Sequence, residues 1–355
     1  MKNTDITKTN KRIIGLDLVR FIAVFFVVSV HFMLYSHFYE AKMEGIGMFI
    51  MTGLRWLFYT CVPLFIILTG YLKSKKKPNK EHYKSIVPIL STYLILSIIA
   101  ILVKKFLLHT GDSYGHLIMG IFNFSTIDYA WYVNMYIGLF LLIPFLNILY
   151  QNIDTQRKKQ ILIGTLLGLV SLAPFINAFN IEGIQLNLVP NWWVGIYPFL
   201  YYFIGCYIKE YQIRLPKVAN FLLLVMALFI ETIITFFYSH GKVFDSLLFE
   251  GYNALPTVLI ATLIFLLFYN VQFKNRPLRI MITDFSKLSF DIYLISCLVD
   301  AYFYSHFAKY VSSSPKALPY LFLFVPVIFL TSYVIAFIKR CIINGLSALK
   351  NSLNE

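Results

Sequence analysis

Residues 16–32 read LDLVRFIAVFFVVSVHF, a run that is apolar along its whole length except at Asp17, Arg20, Ser29 and His31. Arg20 and His31 stand eleven residues apart, and at about 100° per residue that spacing returns to nearly the same helix face three turns on. Steps of i, i+3 and i+4 place Asp17, Arg20, Val24, Val28 and His31 on one stripe, with Asp17 a turn from Arg20 and able to pair with it. The run is long enough to cross a bilayer, where an ionised side chain facing lipid is expensive, so these groups are expected to face protein or a wet cavity. Arg20 and His31 lie about 16 Å apart along the helix axis, too far to touch one small group yet able to reach opposite parts of a long ligand. The plainer alternative is a structural ion pair with a core histidine.

Composition fixes the class. Of 355 residues 59% are hydrophobic and 14% charged, and the mean hydropathy is +0.70, outside the range of soluble domains. The expectation is an all-α, polytopic integral membrane bundle. The formal net charge of +14 would suit nucleic acid only if the cations shared a soluble face. They fall instead in short clusters between apolar segments, which read as topology signals. Cys61, Cys206, Cys297 and Cys341 show no metal-ligand spacing and are expected as buried thiols.

Ten apolar segments stand near residues 14–36, 47–72, 85–108, 129–150, 160–177, 192–209, 218–238, 254–271, 288–306 and 318–340, giving about ten transmembrane helices. Alternate connections collect the basic residues: Lys2, Lys8, Lys11 and Arg12; Lys73 to Lys84; Arg157 to Lys159; Lys209 to Lys217; Lys274 to Lys287; Lys339, Arg340 and Lys350. By the positive-inside rule these face the cytoplasm, which puts both termini inside. Lys104 and Lys105 are the exception. The first segment is too long for the apolar region of a signal peptide and should remain as a helix. The organisation expected is a tail over 1–13, one membrane domain over 14–343 and a tail over 344–355.

Further polar groups punctuate the apolar segments. Arg55 and Trp56 precede CVPLFIILTGYLKSKKK, in which a helix bearing Pro63 is expected to end at Gly70 and to free a carbonyl within the membrane. Lys73, Lys75, Lys76, Lys77, Lys80 and Lys84 could bind an anionic ligand such as a nucleotide phosphate, but on charge alone a topology and lipid head-group role is favoured. Glu231, Asp291 and Asp300 lie within apolar segments, and the nine residues between the two aspartates put them on roughly opposite faces, so that at most one faces an interior cavity. Each could serve a substrate, pair with Arg55 or hydrogen-bond a neighbouring helix. Trp131, Tyr132, Asn134 and Tyr136 could line a sugar-binding surface or anchor the membrane boundary, and Trp192 and Trp193 read the same way.

Together these segments resemble the bacterial membrane acyltransferase family 3, which includes surface-polysaccharide and peptidoglycan O-acetyltransferases. Arg20 and His31 match its Arg-x10-His pattern on the first helix. VPLFIILTGYL is similar to its second-helix VPLFF-x-x-SGY segment, with Thr69 where serine is usual, and AWYVNMYIGLFLLIPFLN, YYFIGCYIKEY and LSFDIYLISCLVD resemble later ones. Two departures stand out. Ser296 in IYLIS occupies a position where members often carry histidine, and KEHYKSIVPIL offers Lys80, His82 and Lys84 but no arginine pair.

The resemblance implies a membrane O-acyltransferase of the bacterial plasma membrane. It would move an acyl group, acetyl above all, from acetyl-CoA in the cytoplasm to a hydroxyl of a cell-envelope glycan or its lipid-linked precursor, without a metal. His31 then fits the general base, Arg20 a charge-stabilising or positioning role, and Asp17 the group that orients Arg20. Lys73, Lys76, Lys80 and Lys84 would meet the donor, and Arg55, Trp131, Tyr132, Glu231 and Asp300 the acceptor. A carrier or flippase for a small molecule or lipid-linked sugar would use buried charges too, but the chain shows no inverted repeat. A membrane sensor or scaffold would bind no donor at all.

Overall fold

A computed structural model describes residues 12–177, 180–181, 183–246, 251–311 and 314–353. Lys2, Lys8 and Lys11 lie outside the described residues. The helices are α1 (Ile14–Tyr35), α2 (Gly45–Tyr59), α3 (Cys61–Lys73), α4 (Lys80–Lys84), α5 (Val87–Leu102), α6 (Tyr114–Asn123), α7 (Trp131–Gln151), α8 (Gln156–Leu167), α9 (Ala173–Asn177), α10 (Tyr197–Tyr211), α11 (Lys217–Tyr238), α12 (Leu255–Phe268), α13 (Arg276–Val311) and α14 (Ser314–Leu353). One two-residue antiparallel pairing, Asn180–Ile181 with Ile184–Gln185, interrupts this all-helical order. Every one of the ten apolar segments falls on helix, and among the described residues seven helical stretches are long and apolar enough to cross a membrane. α13, α10 and α12 are more polar or shorter.

The second segment is two helices. The chain breaks at Thr60, whose hydroxyl bonds the Leu57 carbonyl at 2.7 Å, and Pro63 then falls in the first turn of α3, where a missing N–H costs nothing. The helix does not end at Gly70 but runs on to Lys73. Gly70 is small for a packing reason: a Cβ there would collide with the Tyr202 carbonyl of α10, and one at Gly205 would collide with the Ile67 carbonyl of α3. Two helix backbones thus touch directly, the close approach that small residues permit in membranes.

α1 lies at the centre, against α13, α3, α2, α14 and α12. Val19, Ala23, Val24, Val28, Phe32 and Met33 on it are wholly buried. α13 is longer than its apolar stretch and is clamped to α14 by Arg340 on Asp284 at 2.8 Å, by the Tyr333 hydroxyl on Asp284 at 2.6 Å and by Lys339 on Asp291. α14 continues helical through residues expected as a tail. Exposed Phe221, Leu222, Met226 and Phe229 on α11, and Phe322, Leu330 and Ile338 on α14, form the apolar girdle that lipid covers. Cys61, Cys206 and Cys297 are buried thiols, whereas Cys341 is exposed on the outer surface of α14, beyond the reach of core packing.

Gly205→Val should wedge α10 from α3 and lower stability by about 1–3 kcal/mol, read as a fall in melting temperature of the detergent-purified protein; Gly138→Ala, where nothing lies within 4 Å of a Cβ, should leave it unchanged.

Candidate active site

The apolar start of α1 carries a buried carboxylate, and Asp17 is satisfied from the segment that precedes α1 and from α13. Arg12 grips it with two hydrogen bonds, 2.6 and 2.7 Å long, and the Ser286 hydroxyl of α13 donates to the same carboxylate at 2.7 Å. Arg20 donates to Ser286 at 2.9 Å and stands 3.7 Å from Asp17. Asp17 therefore orients Arg20 mainly through a shared serine, and its closest partner is Arg12.

Beyond this bridge lies a cavity of about 210 Å3 enclosed by α1, α3, α5, α7 and α13. Arg20, Lys73 and Thr69 supply polar groups, while Val27, Val62, Phe65, Leu68, Phe290 and the rings of Tyr132, Tyr136 and Tyr293 make the rest apolar. On α3 the lining runs from Lys73 to Val62, eleven residues or about 16 Å of helix. The cavity is thus elongated, with its cations towards the end that carries the lysine-rich connections. Lys73 holds its ammonium 4.7 Å from the centre of the Phe140 ring.

His31 does not line this cavity. It stands one turn beyond Val27, with its ring stacked on Tyr129 at 3.5 Å and 9°, and it is only partly buried. Its Nδ1 is buried in no well-aligned hydrogen bond, with the Val27 carbonyl one turn back nearby. The Tyr129 hydroxyl donates to Asp300 Oδ2 at 2.8 Å, and the Tyr293 hydroxyl donates to the Tyr129 carbonyl. Tyr293 thus links the cavity that it lines to the Tyr129 that stacks on the imidazole. Asp300 is wholly buried, and its Oδ1 has no hydrogen-bond partner. Tyr304, beside it on α13, stacks on Tyr35 at 4.3 Å.

The structure brings Asp17, Arg20, Lys73 and Tyr132 to one cavity or its wall, and joins His31 to Asp300 through Tyr129. The other expected residues lie elsewhere. Lys76 is exposed, with its carbonyl held by Asn147 at 2.8 Å; Lys80 and Lys84 are exposed on α4. Arg55 is buried at 5% exposure inside rings of Trp56, Tyr59, Phe244 and Tyr39, its guanidinium 4.3 Å from the Trp56 centre and 4.1 Å from that of Tyr59. Glu231 on α11 is also buried, and among the described residues neither it nor Arg55 has an oppositely charged group within ion-pair distance. Trp131 is 41% exposed and stacks on Tyr252 at 5.6 Å. Asp291 pairs away from the interior with Lys339.

Sequence reading missed Ser286, Ser289, Tyr293 and Tyr129. Their signal was present: Ser286, Ser289, Tyr293, Ser296 and Asp300 step by three and four residues along α13 and all are buried, a polar stripe facing that of α1. Tyr129 precedes α7 in a short 3-10 turn, Asp128–Ala130, and carries no such periodicity.

A membrane-embedded helical bundle with an elongated, cation-ended cavity and a histidine beyond it is the class this geometry defines. The family model for the acyltransferase domain, acyltransferase family 3, matches residues 13–337, and the chain belongs to that family: it is a membrane acyltransferase. No curated protein matches it, and no solved structure does.

Asp17→Ala should leave Arg12 and Ser286 without their acceptor and cost about 3 kcal/mol of stability, visible as a melting temperature several degrees below wild type; an unshifted melting curve would contradict the bridge's structural weight.

Proposed function

We propose that this membrane acyltransferase moves an acyl group, acetyl being our reading, from acyl-CoA on the cytoplasmic side of a bacterial plasma membrane to a hydroxyl of a cell-envelope glycan or its lipid-linked precursor. The observation that carries the reading is the shape of the cavity: narrow, apolar, some 16 Å along α3, with Arg20 and Lys73 at the lysine-rich end and His31 past the other. A thioester with an anionic head and a long neutral arm fits that polarity. The positive-inside rule puts the cation end in the cytoplasm.

In this mechanism the donor's arm lies along α3 and its thioester reaches Tyr293, at the end of the cavity nearer His31. The acceptor approaches His31 from the partly exposed side. As the acceptor oxygen attacks the thioester carbonyl, His31 takes its proton; the C–S bond then breaks, and the thiolate recovers that proton as the free thiol. Arg20, permanently cationic, neutralises donor charge, while Tyr129 keeps the imidazole ring in place through stacking. Tyr132 lines the donor arm, and Asp300 fixes Tyr129. The aromatic stack of Trp131, Tyr252 and Tyr59 beside Arg55 supplies ring faces suited to a sugar.

Thiol release from acetyl-CoA by the detergent-purified protein tests the reading. His31→Ala should slow release by about 10²–10⁴-fold with an unchanged melting curve, and Arg20→Ala should weaken donor binding about tenfold. Full activity in His31→Ala would remove the proposed base.

A further inference from the structure

A second pocket, about 420 Å3, opens between the first turns of α1 and α13 and is lined by Arg12, Asp17, Arg276, Arg279, Thr283, Asp284 and Lys287. Its two carboxylates are already taken, Asp17 by Arg12 and Asp284 by Arg340. Arg276, Arg279 and Lys287 have no carboxylate within ion-pair distance among the described residues. Three cations without an ion-pair partner of their own therefore share one recess. Two are arginines, whose planar fork matches phosphate oxygens, and they sit in the opening turns of a 36-residue helix, whose N-terminal end favours anions.

Position adds the second argument. On α1 the pocket ends at Asp17 and the reaction cavity begins at Arg20; on α13 it ends at Lys287 and the cavity begins at Ser289. The hydrogen bonds of Ser286 to Asp17, which lines the pocket, and of Arg20, which lines the cavity, to Ser286 lie where the two spaces meet on α1 and α13. Pocket and cavity thus follow one another along two parallel helices, and on α1 their lining runs from Arg12 to Val27.

We infer that this pocket holds the phosphate groups at the nucleotide end of the acyl donor, with the innermost phosphate reaching Arg20 and the neutral arm continuing into the 210 Å3 cavity. The inference rests on the donor reading above and specifies where its charged end binds: on Arg276, Arg279 and Lys287, and not on the lysines of α4. A phospholipid head group carries the same phosphate chemistry, and the experiment separates the two sources.

Affinities of CoA and of pantetheine, which has the arm without phosphates, are measured by titration calorimetry on the detergent-purified protein, and phosphatidylglycerol retained after purification is counted by native mass spectrometry. In the double variant Arg276→Gln, Arg279→Gln the preference for CoA over pantetheine should fall about tenfold, with retained lipid unchanged. The Lys counterparts at both positions should restore most of it. Lys287→Gln, a single change at an exposed site, should lower the preference about threefold and remains available if the double variant is poorly folded. A wild-type preference that survives the glutamine changes overturns the inference, as does loss of retained phosphatidylglycerol with that preference intact. Failure of wild-type protein to bind CoA would instead overturn the donor reading itself.

Discussion

The bundle is organised by one buried carboxylate. In an apolar medium Asp17 must find its hydrogen bonds inside the protein, and it finds them from Arg12 on its own chain segment and Ser286 on α13. A polar contact of this kind fixes both the pairing of two helices and their register, since sliding by one residue would strand a charge. The 269 residues that separate Asp17 from Ser286 also separate Tyr35 from Tyr304, whose rings stack at the far end. His31 and Asp300 have the same offset, and there the space between the helices is filled by Tyr129. Two helices locked in register at both ends thus hold Arg20 and His31 at fixed levels.

A second constraint keeps the interior open. α3 is pinned from behind by direct backbone contact with α10 at Gly70 and Gly205, and its lower end is tied to α7 by Asn147, which bonds the Lys73 and Lys76 carbonyls at 2.8 Å each while accepting from Tyr202 at 2.7 Å. With α3 held on that side, its residues from Val62 to Lys73 line the cavity while the helix also packs on α1. The cavity's apolar walls ask for no hydrogen bonds, so the space needs polar partners only near Arg20, Thr69, Lys73, Ser289 and the three tyrosine hydroxyls.

Much of this was legible in the sequence because it rests on periodicity. The stripe through Asp17, Arg20 and His31 is a property of a single helix, and spacing alone reports it. All ten apolar segments proved helical for the same reason. Contacts between helices were less accessible. Arg12 displaces Arg20 as the main partner of Asp17 although both lie within reach in sequence, because the choice depends on where Ser286 comes from α13. The break at Thr60 comes three residues before Pro63, where the sequence predicts an irregular backbone, but the small residue at Gly70 answers to α10, so a local reading of Gly70 as a helix end assigned it the wrong role. Arg55 and Glu231 read as a possible pair, yet aromatic faces around Arg55 take the place of a carboxylate.

Ser296 shows why one imidazole is enough in the mechanism proposed. Its hydroxyl turns back to the Tyr293 carbonyl at 2.9 Å and is wholly buried, which makes it a packing residue of α13 and no substitute for a base. Acyl transfer from a thioester to a hydroxyl is proton-neutral: the O–H lost by the acceptor is replaced by the S–H gained by the leaving thiol. A group that accepts the proton in the first half of the reaction and returns it in the second needs no exchange with bulk water between them. In the proposed mechanism His31, its ring held by the stack on Tyr129, performs both steps. A second histidine would be required only if the proton had to leave by another route, and with Asp300 committed to the Tyr129 hydroxyl the surroundings of His31 provide a fixed ring orientation instead of a relay.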